Sequence, residues 1–244
     1  MASDENDFVS PGWDAIDGAL RPIYGNEEPR HWGTVVSWEL GGPDPIRGIS
    51  AYRSRGQPDH WHFVTYGITE LYDKQSDNPK ISGWGFELTF RLASTPSTEP
   101  PTWVLSFLQN LGRYVFSSGN VFGVGHTLPL YGPICKGDPT KIRAITFARD
   151  PELHSAESAN GSFDFLQIVG LTEDELEAVQ SWNASGFLEL AAEQDKLLVT
   201  DLRRDSWLRD PTFARVVGER TASEGASAVS LSCESARVEA DASQ

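Results

Sequence analysis

Large apolar side chains alternate with small or polar ones at a period of two through residues 82–92. Trp84, Phe86, Leu88, Phe90 and Leu92 fall on one side of the strand this predicts, with Gly85, Glu87, Thr89 and Arg91 on the other. Five large apolar groups on one face need a helix or a second sheet to cover them, so the strand is expected near the centre of its sheet. Glu87 and Arg91, on the opposite face, require water or partners. They stand about 13 Å apart along the strand, which points each toward a neighbouring strand instead of the other.

The same reading extends along the chain. Ser10 followed by Pro11 predicts a helix ending before Gly25, with Trp13, Ile16, Leu20 and Ile23 as its buried stripe. Thr34, Val36, Trp38 and Leu40 alternate as a strand would, until Gly41-Gly42-Pro43-Asp44-Pro45 breaks the pattern. A return through residues 46–53 leads to a strand at 60–66. A helix starting near Thr102 carries Val104, Leu108, Leu111 and Val115 on one stripe and is expected to cover the central strand. Strands are predicted at 127–130, 142–148 and 163–169, the last interior because it is apolar on both faces apart from Asp164 and Gln167. Residues 150–161 read as an acidic, mobile loop. Thr172-Glu173-Asp174-Glu175 forms a capping box for a helix reaching Trp182, a short helix follows at 187–193, and residues 197–200 read as a last core strand. The pattern gives an α+β fold, a mostly antiparallel or mixed β-sheet packed with helices. Its expected divisions are an acidic lead at 1–9, a domain at 10–211, and a flexible tail at 212–244 that could add an edge strand at 227–232.

Composition narrows the function. Against 20 basic residues stand 35 acidic ones, a formal charge of -15, and Arg203-Arg204 is the one adjacent basic pair. This argues against a phosphate-backbone binder, so no nucleic acid is expected. It would speed encounter with a basic partner, although solvated surface charge without any target is the commoner explanation. Neither a signal peptide nor an apolar run of ~18 residues is visible, so no membrane association is expected either. Two cysteines, Cys135 and Cys233, do not make a disulfide framework, and the default location is a reduced cytoplasm.

Candidate chemistry centres on His60 and His62, which share one strand face. Three readings stay open. They could hydrogen-bond Glu87 across the ladder as a structural polar cluster. They could share a metal ion if Asp59, Glu87 or His31 approaches. They could serve with Glu87 in a metal-dependent or acid/base hydrolase. The glycine-rich stretch 120–125 follows a helix and lacks Lys-Ser/Thr, so it is not a phosphate loop, and no cofactor is expected.

Several motifs occur in one order between residue 11 and about 211: Leu40-Gly41-Gly42-Pro43-Asp44-Pro45, His60-Trp61-His62, the segment 83–92, Pro101-Thr102-Trp103, Arg113-Tyr114-Val115-Phe116, Phe165-Leu166-Gln167-Ile168-Val169-Gly170 and Thr200-Asp201-Leu202-Arg203-Arg204. Together they resemble the N-terminal domain of the Suppressor of fused family. The resemblance implies a non-enzymatic adaptor. Eukaryotic members bind Gli-type transcription factors by trapping an extended peptide between two domains, where it adds as a strand. Tyr114 matches a family tyrosine at that groove, and the loop 120–126, with Phe122 and His126, also aligns. The tail 227–233 is weakly similar to the strand that receives the peptide, which places Val229 and Leu231 near the site. His126 stands where those members carry an acid, and the sequence ends without the second domain, so Gli-type recognition is not what the residues favour. Short single-domain members are typical of bacteria, where the family is held to include immunity proteins that neutralise toxins. An acidic binder would suit a basic toxin. Tyr114 also has a plain reading as helix core, and the oligomeric state is open.

Overall fold

The computed structural model describes residues 9–56, 58–94 and 97–226. Strands β1 (Arg30–Gly33), β2 (Gly48–Ser54), β3 (His60–Tyr66), β4 (Ile81–Ala93), β5 (Thr127–Pro129), β6 (Ile142–Arg149), β7 (Ala156–Ser158) and β8 (Gly161–Thr172) form one sheet, ordered β1-β2-β3-β4-β8-β6-β5, with β7 paired to β8. Every pairing is antiparallel except the parallel contact of β4 with β8. The strand with the strongest alternation, β4, is therefore central, and β8 is interior as its two-faced apolar pattern required.

Phe86, Leu88, Phe90 and Leu92 bury one face of β4 under helix α2 (Trp103–Ser118), which contributes Val104, Phe107, Leu108, Leu111 and Val115. The ladder to β8 slips between Ile81 and Phe86, where Gly83 and Gly85 take φ of 53° and 84°. A Cβ on Gly83 would lie 2.7 Å from the Ile68 carbonyl oxygen, so both backbone conformation and space require glycine there.

The opposite face carries two separate apolar clusters. Helix α1 (Pro11–Tyr24) buries Ile16 and Leu20 with Tyr52, Val64, Tyr66, Phe163 and Phe165. Helices α3 (Glu173–Ser181), α4 (Ala184–Gln194) and α5 (Pro211–Glu224) cover Ala144, Ala148, Val169 and Leu171. At the start of α3 the Glu175 carboxylate accepts the Thr172 amide at 2.8 Å, completing the predicted capping box, and it also receives Arg204 and the Trp207 amide.

Four predicted features differ. Residues 34–40 are not a strand: Thr34 donates its amide and hydroxyl to the Arg47 and Ile46 carbonyls, which diverts the chain into a 3-10 turn at Trp38–Leu40 and leaves Val35 97% exposed. Residues 197–200 make only a single bridge, Thr200 with Leu92, because the Asp195 carboxylate takes the Leu197 and Val199 amides that a ladder would have used. The 150–161 segment is tied down rather than loose, with Asp150 and Asn160 buried and β7 paired to β8.

The stretch after Pro211 begins as helix α5. Asp210 caps it by accepting the Thr212 and Phe213 amides, and Phe213 and Val217, four residues apart, pack into the α3–α4 cluster. A composition rich in Ala, Ser and Glu hides this two-residue stripe. Val217→Ala removes two buried methyl groups and is expected to lower stability by about 1.5 kcal/mol, read from the urea midpoint. An unchanged midpoint would detach α5 from the cooperative unit. The proposed edge strand at 227–232 lies outside the described residues.

Candidate functional site

Between the two apolar clusters of the second face runs a belt of charge. Arg91 is fully buried. Its guanidinium reaches both Asp150 oxygens at 2.5 and 3.0 Å, the Glu152 carboxylate at 3.0 Å and the Gln167 side-chain oxygen. Asp150 also accepts the Thr89 hydroxyl at 2.7 Å and the Glu152 and Leu153 amides at 2.9 and 3.0 Å. Burial opposes its ionisation, but hydrogen bonding with His62 and the charges of His62 and Arg91 outweigh that and hold its carboxyl well below the ordinary range. Gln167 donates in turn to the Leu197 and Leu198 carbonyls, which fixes the extended segment beside β4.

His62 faces Asp150 through Nε2 at 3.4 Å and the Tyr24 hydroxyl through Nδ1 at 2.8 Å. An Nε2–H directed at the carboxylate leaves Nδ1 to accept from Tyr24, which links α1 to the belt. Burial and the neighbouring Arg91 charge push His62 down to about 4. His60 donates Nδ1–H to the Pro58 carbonyl at 2.7 Å, and burial lowers its pKa as well.

Glu87 does not join either histidine, which corrects the expected polar cluster. The chain between β3 and β4 folds back so that Glu87 Oε1 accepts the Gly67 amide, the Thr69 amide and the Thr69 hydroxyl at 2.9, 2.9 and 2.7 Å, and Oε2 meets the Thr65 hydroxyl at 2.6 Å. Burial raises its pKa to about 7 against these hydrogen bonds. All three residues are sealed, at 0% exposure. With Glu87 bonded elsewhere and all three side chains buried among the described residues, the geometry gives the hydrolase alternative no support. Among the described residues no group of three or more His, Cys, Asp or Glu side chains could hold a metal ion.

Of the residues expected at the peptide groove, Tyr114, Phe122 and His126 lie on α2 and the loop that follows it, at the β5 end of the sheet. Tyr114, near the C-terminus of α2, stacks on Phe122 with ring centroids 5.4 Å apart, and Phe122 stacks on Phe147 of β6 at 4.4 Å. Asn120 donates its side-chain amide to the Tyr114 hydroxyl at 3.3 Å. The loop then closes on β6: the Gly125 amide bonds the Phe147 carbonyl at 2.8 Å, and the His126 carbonyl accepts the Phe147 amide at 3.1 Å and the Thr146 hydroxyl at 3.0 Å. His126 is half-buried against Gly123, while Val121 and Val124 are exposed on the same loop. β5 follows directly and ends the sheet, paired among the described residues with β6 alone. Helix α5 finishes with Glu224 bonded to the Trp182 indole at 2.8 Å, one residue before the Asn183 cap of α4, and the first residue of α4, Ala184, lies opposite Gly125. Val229 and Leu231 fall outside the described residues.

The pairing of Arg91 with Asp150 was missed, as was Thr89 as a second donor to the same carboxylate. Gln167 had shown itself only as a polar interruption in an apolar strand; nothing local to Asp150 marks it.

A largely buried belt of charge and an edge strand beside stacked aromatic rings define a mixed-sheet α+β protein. A family model for the Suppressor of fused protein (SUFU) matches residues 42–205, and the chain belongs to the Suppressor of fused family. The human Suppressor of fused homolog is 35% identical over 91% of this chain, as is the mouse protein, and the chain spans about half the length of these relatives, 50%. The crystal structure of Drosophila Suppressor of Fused is similar at a TM-score of 0.79 and 32% identity, covering 86% of this chain and 54% of that one. The crystal structure of a Sufu-Fu complex is similar at a TM-score of 0.79 and 33% identity, covering 85% of this chain and 97% of that one.

Proposed function

We propose that the chain is a non-enzymatic protein-binding module that takes an extended partner segment along the outer edge of β5. The observation that carries this reading is the edge itself: β5 ends the sheet next to the Tyr114–Phe122 stack and His126. Main-chain hydrogen bonds to an edge supply affinity, and pockets between side chains supply selection. A relative solved as a Sufu-Fu complex supports a protein as the ligand. Val229 and Leu231 complete the groove in this reading, since α5 hands the chain on near Trp182 and α4, which adjoin the Gly125 turn.

The formal charge of -15 supports a basic segment, and a basic toxin neutralised by an immunity protein is the narrower form of the same proposal. Calorimetry with the affinity-purified partner tests both. Tyr114→Ala is expected to weaken binding at least about tenfold, the scale of one aromatic contact residue, and deletion of residues 227–244 to weaken it further. Undiminished affinity in both variants would remove the groove from the mechanism. An affinity indifferent to salt would remove the basic partner.

A further inference from the structure

On the other face of the sheet, at its opposite edge, α1 and the β1–β2 corner enclose a cleft of about 560 Å³. Its inner surface is aromatic. Trp13 lies on Tyr66 with centroids 4.5 Å apart, and Tyr24 lies on Tyr52 at 4.3 Å, so α1 supplies the upper ring and the sheet the lower ring of each stack. His31 from β1 closes the side, edge-on to Tyr66 at 5.9 Å, with Nδ1 paired to the Ser50 hydroxyl at 2.9 Å. Tyr52 and Tyr66 are buried, while Trp13 and Tyr24 keep part of their surface open to the cleft.

The polar groups at the mouth have one predominant sign. Asp17, Glu27 and Glu28 line it against a single basic side chain, Arg21. Asp17 accepts the Tyr66 hydroxyl at 2.9 Å through one carboxylate oxygen, whereas Glu27 and Glu28 are exposed and have no ion-pair partner among the described residues. Burial lowers the pKa of His31 and Asp17 opposes that shift, so the imidazole is neutral at pH 7 and does not repel a positive charge. Arg21, also exposed, has no salt bridge among the described residues and does not neutralise the three acids through a fixed pair there.

We propose that this cleft is a binding site for an organic cation, an alkylated ammonium group held against the Trp13 and Tyr24 rings with Asp17, Glu27 and Glu28 as counter-charges. The faces of electron-rich rings attract cations within about 6 Å of the ring centroid, most strongly for Trp, and the attraction grows as water is excluded. An uncharged apolar ligand would gain nothing from the three acids. An anion would meet them directly. The cation can arrive free in solution or on a modified lysine of a partner, since both present the same head group.

The intact chain, labelled with ¹⁵N, is titrated with choline and with its neutral isostere 3,3-dimethyl-1-butanol, following the Trp13 indole N–H signal assigned through Trp13→Phe. Choline is expected to shift that signal saturably, with the isostere at least about tenfold weaker, the factor that 1.4 kcal/mol of charge recognition produces. Glu27→Gln combined with Glu28→Gln should weaken choline binding about fivefold, and Arg21→Gln should strengthen it by removing the competing cation. These positions are exposed, so the variants test charge without touching the core.

A trimethyl-lysine peptide that binds tighter than choline assigns the cation to a partner chain; equal affinity assigns it to a free small molecule. No saturable shift, equal binding of the isostere, or binding indifferent to the Glu27/Glu28 and Arg21 changes would overturn the proposal. The cleft lies across the sheet from the β5 edge, so its failure leaves the peptide groove unaffected, and the reverse also holds.

Discussion

Asp150→Ala will destabilise the protein by about 3–5 kcal/mol, the cost of stranding one member of a buried ion pair. Arg91 would keep its positive charge at 0% exposure with only Glu152 and Gln167 left to meet it. Thr89 would lose an acceptor, as would the Glu152 and Leu153 amides. His62 would lose the carboxylate that orients it, and with it the link through Tyr24 to α1. Replacing both charges, Arg91→Met with Asp150→Leu, should cost less than Asp150→Ala alone, because no buried charge is then unpaired. Urea denaturation of the three proteins checks the order. A double variant no more stable than the single one would show that the belt's hydrogen bonds, not its charges, hold the seam between the two apolar clusters.

The second large effect is a pH dependence that two buried groups hide from one another. His62 has its pKa lowered from 6.5 to about 4 in the folded protein, so between those values the unfolded chain binds more protons and stability rises with pH. Glu87 has its pKa raised from 4.5 to about 7, so between those values the folded chain binds more protons and stability falls as pH rises. Across the shared window, 4.5 to 6.5, the two slopes oppose and their sum is nearly flat.

Glu87→Gln unmasks the histidine. The amide oxygen keeps the Gly67 and Thr69 donors, and the amide N–H₂ donates to the Thr65 hydroxyl, as a protonated carboxyl would. As the pH drops from 6.5 to 4.5 this variant should lose about 2–3 kcal/mol more stability than the parent, since His60 and His31, whose pKa values are also lowered, act alike in both proteins. Parallel profiles for variant and parent would mean that Glu87 titrates as an ordinary carboxylate.

Where the sequence succeeded, the information was local. The period-two run in β4, the helical stripe of α2 and the capping box of α3 each need only a dozen residues to be recognised. Where it failed, a side chain elsewhere competed for the backbone. Thr34 diverts the first predicted strand toward Ile46 and Arg47, and Asp195 takes the amides of the last one. Alternation reports which face a residue occupies, but it does not report whether a neighbouring strand is present to pair with it. The groove residues Tyr114, Phe122 and His126 were placed by resemblance, and the ring stacks and the loop's closure on β6 became visible only in the fold.

The sequence by itself determined that β4 would be central, that α2 would cover its apolar face, and that Glu87 and Arg91 would need partners. Only the tertiary structure decided who those partners are. Arg91 finds Asp150 from 59 residues away and Gln167 from 76, and Glu87 turns to residues 65–69 instead of the histidines on its own face. The physical reason is that a buried charge takes whichever donors or acceptors the packing of distant segments brings within about 3 Å, and that choice is not encoded in any local period.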